Sequence, residues 1–327
     1  MKVLLTGAAG FIGYHVAEAL LARGDSVVGV DNLNDYYDVT LKQDRLKQLA
    51  GKDAFSFTRA DISNRDAMAA IALQHPDVTH VVHLAAQAGV RHSLKDPYTY
   101  IMSNVMGQVV LLELARGFGK LEHFVYASSS SVYGGNTKLP FSVDDATEQP
   151  NSLYAATKKA DELIGHTYAH LYGIPSTGLR FFTVYGPWGR PDMAAFLFTN
   201  AILKGEPIRV FNHGDMWRDF TYIDDIVAGI LAAVAHRPTG KPPHAVYNLG
   251  NHKSEKLTDF IATIEKALGR KAEFRFEPMQ AGDVEKTYAD IEASRRDLGF
   301  EPRVPISEGI PRFVKWYRNY FRAWPAN

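Results

Sequence analysis

The chain has 327 residues, 46% hydrophobic and 22% charged, and its 36 Lys and Arg balance its 36 Asp and Glu. That length allows about two domains at ~150 residues each, and the balanced charge offers no basic stripe for nucleic acid. With no cysteine, disulfides and thiolate chemistry are excluded. The N-terminus runs into an apolar stretch without a cationic start or cleavage site, and no apolar run reaches the ~18 residues of a membrane span. The expectation is a cytoplasmic protein without nucleic-acid or membrane partners.

Strand and helix patterns alternate from the start. "KVLLT" (2–6) reads as a buried strand, and "GYHVAEALLARG" follows with Val16, Ala17 and Leu20 at helical spacing and Gly24 as a stop. "SVVGVD" (26–31), "AFSFTRAD" (54–61) and "VTHVVHLAA" (78–86) are the next strands, with a helix at "ISNRDAMAAIALQ". "NVMGQVVLLELARGFG" (104–119) is a helix and "HFVYASS" (123–129) a fifth strand. "LYAATKKADELIGHTYAHLYG" (153–173) is a long helix, and "PSTGLRFF" (175–182) a sixth strand. Alternating β and α with near-continuous apolar strands predicts an α/β fold with a doubly wound parallel sheet. After about residue 186 prolines break the pattern. Helices are expected at 194–205, 257–269 and 307–321, the last with Ile310, Phe313, Val314 and Tyr317 on one face. The division expected is 1–185 for a dinucleotide-binding domain and 186–327 for a smaller α/β substrate domain, with some interleaving.

"TGAAGFIG" (6–13) sets Gly7, Gly10 and Gly13 between a strand and a helix. The first glycine lets the chain turn, the second lets backbone approach a pyrophosphate, and the third permits close packing. Such a pattern is weak alone; here the flanking elements and Asp31, ending the second strand, supply its context. A carboxylate there accepts ribose hydroxyls and repels a 2′-phosphate, so NAD is expected over NADP. Tyr154 and Lys158 lie four apart on a helix and share a face. A lysine cation beside a phenol favours the phenolate, which makes Tyr154 a candidate general base. Alone, Tyr-x-x-x-Lys is common; after the fifth strand of such a sheet its helix can run beside the nicotinamide. The twelve histidines show no metal spacing. His83, flanked by apolar residues, reads as packed and hydrogen-bonded.

With these motifs the sequence resembles the extended short-chain dehydrogenases/reductases. More narrowly it is similar to nucleotide-sugar epimerases, and among them to UDP-glucuronate 4-epimerases. The narrower resemblance rests on "VDNLNDYYDVTLKQDRL" (30–46), "AGVRHSLKDPYTYIMSNVMG" (88–107), "TVYGPWGRPDMA" (183–194), "NHGDMWRDFTYIDD" (212–225) and "PMQAGDVEKTYAD" (278–290). It implies a Rossmann-type cofactor domain, tightly held NAD and a homodimer built on helices 104–118 and 153–172. It implies cofactor contacts from Phe11 and Ile12, from Asn32 beside Asp31, from Asp61 and Ile62 at the adenine, and from Leu84, Ala85 and Ala86. Lys158 would also bond the nicotinamide ribose, and Asn104 would support the Tyr154 helix.

The resemblance also gives the serine run "SSSS" (128–131) a meaning. Aligned on "VYG", Ser129 is the family residue that bonds the sugar 4-hydroxyl beside the tyrosine. Similar dehydratases carry Asp-Glu in the next two positions and similar decarboxylases carry Glu in the second; this chain has Ser130 and Ser131. A hydroxyl is a poor general acid, so the run argues against both alternatives. The implied reaction is transient oxidation at C4, turning of the 4-keto sugar and re-reduction. A 4-keto glucuronate is a β-keto acid, so its carboxylate must be pinned. Ser130, Ser131, Thr183 and Arg190 are candidates, with Arg91 behind them. UDP-galactose 4-epimerases usually have Asn at the position of Thr183. Arg218 resembles the family arginine on the diphosphate, and Asp283 the aspartate near ribose and phosphates. Gln280 stands where UDP-galactose enzymes often have Arg. Asp224 and Asp225 read as structural, opening a helix. A UDP-glucose 4-epimerase, a decarboxylase and a non-catalytic NAD sensor stay open as competing readings.

Overall fold

In this computed structural model, which describes residues 1–280 and 282–321, β and α alternate through the first half. The elements are β1 (Lys2–Thr6), α1 (Phe11–Ala22), β2 (Ser26–Asp31), α2 (Val39–Leu49), β3 (Phe55–Arg59), α3 (Arg65–Gln74) and β4 (His80–His83). Next come α4 (Pro97–Tyr100), a π-helical stretch Ile101–Met106 and α5 (Gly107–Gly117). They lead into β5 (His123–Ser129), a 3₁₀ turn Ser130–Tyr133, α6 (Leu153–Tyr172) and β6 (Ser176–Phe181). The remainder contains β7 (Thr183–Tyr185), α7 (Ala194–Lys204), β8 (Ile208–Val210), β9 (Trp217–Arg218), β10 (Phe220–Tyr222) and α8 (Ile223–Ala235). It ends with β11 (His244–Leu249), β12 (Glu255–Lys256), α9 (Leu257–Leu268), β13 (Phe274–Phe276), α10 (Glu292–Leu298) and α11 (Ile306–Phe321). Residue 281, inside the 278–290 stretch, and residues 322–327, at the end of the expected second domain, lie outside the described residues.

Seven strands form one parallel sheet in the order β11-β6-β5-β4-β1-β2-β3. This is the doubly wound α/β sheet the sequence implies. Its order reverses between β1 and β4, the switch point where such sheets open a crevice at their carboxyl ends. The strands are apolar on both faces because both are covered. Along β5, Val125 packs into one core cluster, with α1 and α8, while Phe124 and Tyr126 pack into the other, with α3 and α5. Among the described residues three two-stranded pairs, β10-β7, β12-β9 and β13-β8, lie beyond the main sheet. Among the described residues no helix is long and apolar enough to cross a membrane.

Several elements escaped the sequence reading: α10, the short strands of the three two-stranded pairs, β11 and α2. β11 arises after residue 186 yet forms the edge of the main sheet; its "HAVYNL" is short, polar at one end and preceded by prolines. α2, "VTLKQDRLKQL", is too polar to show an apolar stripe, and its buried Arg45 is bound by polar partners. The 104–119 helix also differs, since helical backbone begins at Pro97 and passes through a π stretch before α5.

Close packing and buried polar bonds dock α6 on the sheet. Tyr126 lies so close to Gly165 of α6 and Gly178 of β6 that an added Cβ would meet its hydroxyl at 2.9 and 2.8 Å. Arg180 of β6 donates from Nε and Nη2 to the two carboxylate oxygens of Glu162 at 2.8 and 2.9 Å. Ser128 of β5, directly opposite Arg180 in the register, donates to Glu162 Oε1 at 2.6 Å. Both charged side chains are 4% exposed, so neither has water to fall back on. Glu162→Ala is therefore expected to destabilise the fold by about 3–5 kcal/mol by stranding Arg180. The double change Glu162→Met with Arg180→Met should cost less than the single one, which urea unfolding of the three proteins measures.

Candidate active site

The carboxyl ends of the strands open into a cleft of ≈ 970 Å³ that runs from the β1–α1 turn across to β8 and β9. Every candidate catalytic, cofactor-binding and substrate-binding residue lines it; His83, Asn104, Asp224, Asp225 and Gln280 do not. At one end are Gly7, Gly10, Phe11, Ile12 and Gly13, then Asp31 and Asn32, then Asp61 and Ile62, and then Leu84, Ala85 and Ala86. In the middle are Ser129, Ser130, Ser131, Tyr154, Lys158, Thr183 and Arg190, and at the far end Arg91, Arg218 and Asp283.

The glycine turn is built for close approach. Gly7 has φ +73°, a conformation glycine adopts at little cost. A Cβ on Gly13 would lie 2.0 Å from Gly7 O. No side chain caps the start of α1 and no acid lies in its first turn, so its N-terminal N–H groups and helix dipole suit a bound anion. Asp31 accepts from Ala9 N at 3.1 Å and Leu33 N at 2.8 Å, which ties the turn to the end of β2. Burial pushes the Asp61 carboxyl up, but bonds from Ser63 and Asn32 outweigh it and hold it below the usual carboxylate range. These groups fit a dinucleotide: amides for its pyrophosphate and carboxylates for its hydroxyls.

Lys158 is 3% exposed and donates to Ala127 O at 2.9 Å and to Asp161 Oδ2 at 3.1 Å. An ammonium has three N–H donors, so one is left for the cleft. Tyr154, one turn earlier, rests edge-on against Tyr100 with ring centroids 6.1 Å apart. The π-helical stretch carries Asn104, which donates to Thr157 Oγ1 at 3.0 Å and Gln87 O at 3.1 Å and accepts from Gln87 N at 2.8 Å. That side chain fastens the first turn of α6 to the segment after β4. His83 bonds Thr6 Oγ1 at 2.7 Å, and burial, aided by Lys158, pushes it down to about 3, so it is neutral.

The four serines divide their work. Ser128 is buried and bonds Glu162. Ser129 Oγ accepts from Ser131 N at 3.2 Å and from Ser131 Oγ at 2.9 Å. With both lone pairs taken, its own O–H remains as a donor. Ser130 and Ser131 follow in the 3₁₀ turn on the cleft wall. Arg190 donates through Nε to Asp192 Oδ1 at 2.9 Å and through Nη2 to Asp192 Oδ2, and Tyr36 donates to the same Oδ2 at 3.3 Å. Burial raises the Asp192 carboxyl, but Arg190 overrides it and holds Asp192 in the ionised form. At the far end Arg218 donates to Trp217 O at 2.9 Å and Glu285 O at 3.0 Å. No described carboxylate lies in ion-pair distance of it. Arg91 bonds Asp283 Oδ2 at 3.0 Å and lies over the Phe211 ring at 4.7 Å, joining the β4–α4 loop to the distal part of the cleft.

Some supporting residues were invisible in the sequence. Arg45 of α2 is fully buried and donates to Ala9 O at 2.9 Å, Trp188 O at 2.6 Å and Tyr37 Oη at 2.8 Å. It ties the glycine turn to the loop that presents Arg190. Asp192 and Tyr36 lie within the quoted strings, but only the fold brings them to Arg190. Asp225 does not cap its helix: its carboxylate accepts from Arg303 N and Val304 N at 3.0 Å each, and Tyr222 is the capping residue.

This chain belongs to the NAD dependent epimerase/dehydratase family, whose model matches residues 3–250. It is 49% identical over 337 residues to protein CapI of Staphylococcus aureus, covering 98% of this chain and 100% of that one. It is 49% identical over 334 residues to UDP-glucuronate 4-epimerase 4 of Arabidopsis thaliana, covering 98% of this chain and 76% of the relative. A crystal structure of UDP-glucuronic acid 4-epimerase from Bacillus cereus, in complex with UDP-glucuronic acid and NAD, superposes with a TM-score of 0.91 at 36% identity, covering 98% of this chain and 100% of that one. NAD, the cofactor expected from Asp31 and the glycine turn, is the cofactor of the family. Gly13→Ala is expected to displace the glycine turn and lower the NAD carried through purification at least about tenfold, while the fold persists. NAD released on denaturation, read beside thermal unfolding, checks both parts.

Proposed function

We propose that this chain converts UDP-glucuronate to UDP-galacturonate by NAD-dependent epimerisation at C4. The observation that carries this reading is the end of β5. Three hydroxyls, Ser129, Ser130 and Ser131, share the cleft wall with Tyr154, Lys158 and Thr183, and no carboxyl occupies the two positions after Ser129.

NAD, when bound, supplies the acceptor for the C4 hydride and the donor that returns it. Tyr154 takes the proton from the 4-hydroxyl, helped by the buried Lys158 ammonium. Ser129, left with its O–H to donate, bonds the 4-oxygen as it changes from hydroxyl to carbonyl. Tyr154 returns the proton when the 4-keto sugar has turned over in the cleft. Ser130, Ser131 and Thr183 hold the sugar carboxylate so that its bond to C5 stays out of line with the carbonyl π system, which guards against loss of carbon dioxide. Arg190 adds to this with its fork already engaged by Asp192, so the carboxylate meets a largely compensated charge. Arg218, without a described carboxylate partner, suits the diphosphate, and Asp283 with Arg91 closes the nucleotide end. The relatives reported above, two of which are named for UDP-glucuronic acid 4-epimerisation, support the same substrate. A homodimer is part of this reading, since Met102, Met106, Leu163 and Leu171 are exposed on the π stretch and α6.

Purified protein given UDP-glucuronate without added NAD is expected to form UDP-galacturonate, followed by NMR. Turnover of UDP-glucose alone would overturn the acid-sugar reading. Tyr154→Phe is expected to lower turnover by about 10²–10⁴ with NAD content unchanged; loss of NAD instead would make the phenol a binding group.

A further inference from the structure

The buried ion pair behind Tyr154 has an unusual asymmetry. Asp161 is 1% exposed and lies one turn beyond Lys158 on α6. Its Oδ2 accepts from Lys158 Nζ at 3.1 Å, while its Oδ1 is buried with no partner among the described residues. A carboxylate half-satisfied in the interior is costly. Glu162, next in sequence, shows the alternative: both of its oxygens are engaged by Arg180 and Ser128. Asp161 therefore adds little to the docking of α6, and its one strong contact is the ammonium beside the base.

We propose that Asp161 is a positioning residue for the reaction: it fixes Lys158 between itself and Ala127 and offsets part of the positive charge that Lys158 presents to Tyr154. The proposal rests on Tyr154 as the general base. The groups packed round the pair are few. Lys158 and Glu162 come from α6, Glu162 being matched by Arg180 of β6. β4 supplies the neutral His83, and β5 supplies Tyr126, whose phenol burial, Glu162 and Asp161 push well above its ordinary range. The π stretch and α5 supply only the uncharged Asn104 and Gln108, Gln108 donating to Asp161 O at 3.4 Å. Asp161 is thus the only group, among the described residues, that meets the Lys158 charge with a carboxylate.

Burial pushes the Asp161 carboxyl up to about 6, against the pull of Lys158. Above that pH Asp161 is ionised and the pair is nearly neutral. As pH falls through it, Asp161 takes a proton and the Lys158 charge stands uncompensated. The field of Lys158 at Tyr154 then grows.

Asp161→Asn keeps the shape and removes the charge, and Asp161→Ala removes both. Two readouts apply to the NAD-loaded enzyme: the pH profile of kcat/KM, and an ultraviolet difference titration of tyrosinate with Tyr154→Phe as the reference. Both variants are expected to move the acid limb and the phenol titration to lower pH by about one unit, a tenfold change at fixed pH. Should the alanine protein fold poorly, the near-isosteric asparagine protein decides alone. A wild-type titration in Asp161→Asn would overturn the proposal, reducing Asp161 to a hydrogen-bonding spacer. A shifted titration without turnover of any UDP-sugar would support the role of Asp161 and count only against the epimerase reading.

Discussion

The active site depends on how one helix is fixed against two strands. Glu162 of α6 is gripped by Arg180 of β6 and Ser128 of β5, and Lys158 of the same helix reaches Ala127 O, one residue before Ser128. These bonds sit one and two turns after Tyr154. They set the rotation and height of α6, and with it where the phenol stands relative to the end of β5. A buried ion pair contributes little net stability against an apolar substitute, but it specifies one arrangement, since any slip leaves a charge unpaired. We hypothesise that register is its use here.

From that arrangement the chemistry of the cleft follows. The strand that supplies Ala127 O and Ser128 to the clamp ends, one residue later, in Ser129. The 3₁₀ turn then lays Ser130 and Ser131 along the wall. Charges in the reacting half of the cleft are met by opposite charges: Lys158 by Asp161, Arg190 by Asp192. A charge-balanced, hydroxyl-rich pocket suits the carboxylate of the proposed substrate. The other half of the cleft uses backbone, with the open N-terminus of α1 suited to a cofactor's phosphates.

The sheet was legible because its strands are apolar on both faces and its turns are marked by glycine. Of the six strands foreseen, β1, β2 and β5 match the observed bounds and the others lie within three residues at each end. Strand β11 was not legible: it joins the sheet through pairing with β6, and nothing in "HAVYNL" says which edge it will find. The glycine turn, Asp31, Tyr154 and Lys158 were legible from motif spacing next to strand ends, where a parallel sheet opens; the other residues lining the cleft came from the family resemblance. Their partners were not. Arg45, Tyr36, Asp161 and Asp192 act through contacts that span up to 156 positions, or through the turn of a helix that brings a neighbour onto a lysine. Polar residues of this kind carry no periodic signal, and the fold alone reveals what they touch. Asp225 opens α8 as expected, in its first turn, but the sequence did not tell that its carboxylate would bond the backbone of Arg303 and Val304.

The central claim is that the sugar is oxidised and reduced at C4 by a hydride that never leaves the protein. UDP-glucuronate carrying deuterium at C4, turned over in ordinary water, tests it directly. The account predicts UDP-galacturonate with the deuterium still at C4, and no deuterium there when unlabelled substrate reacts in heavy water. Loss of the label to solvent, or solvent deuterium at C4, would contradict it.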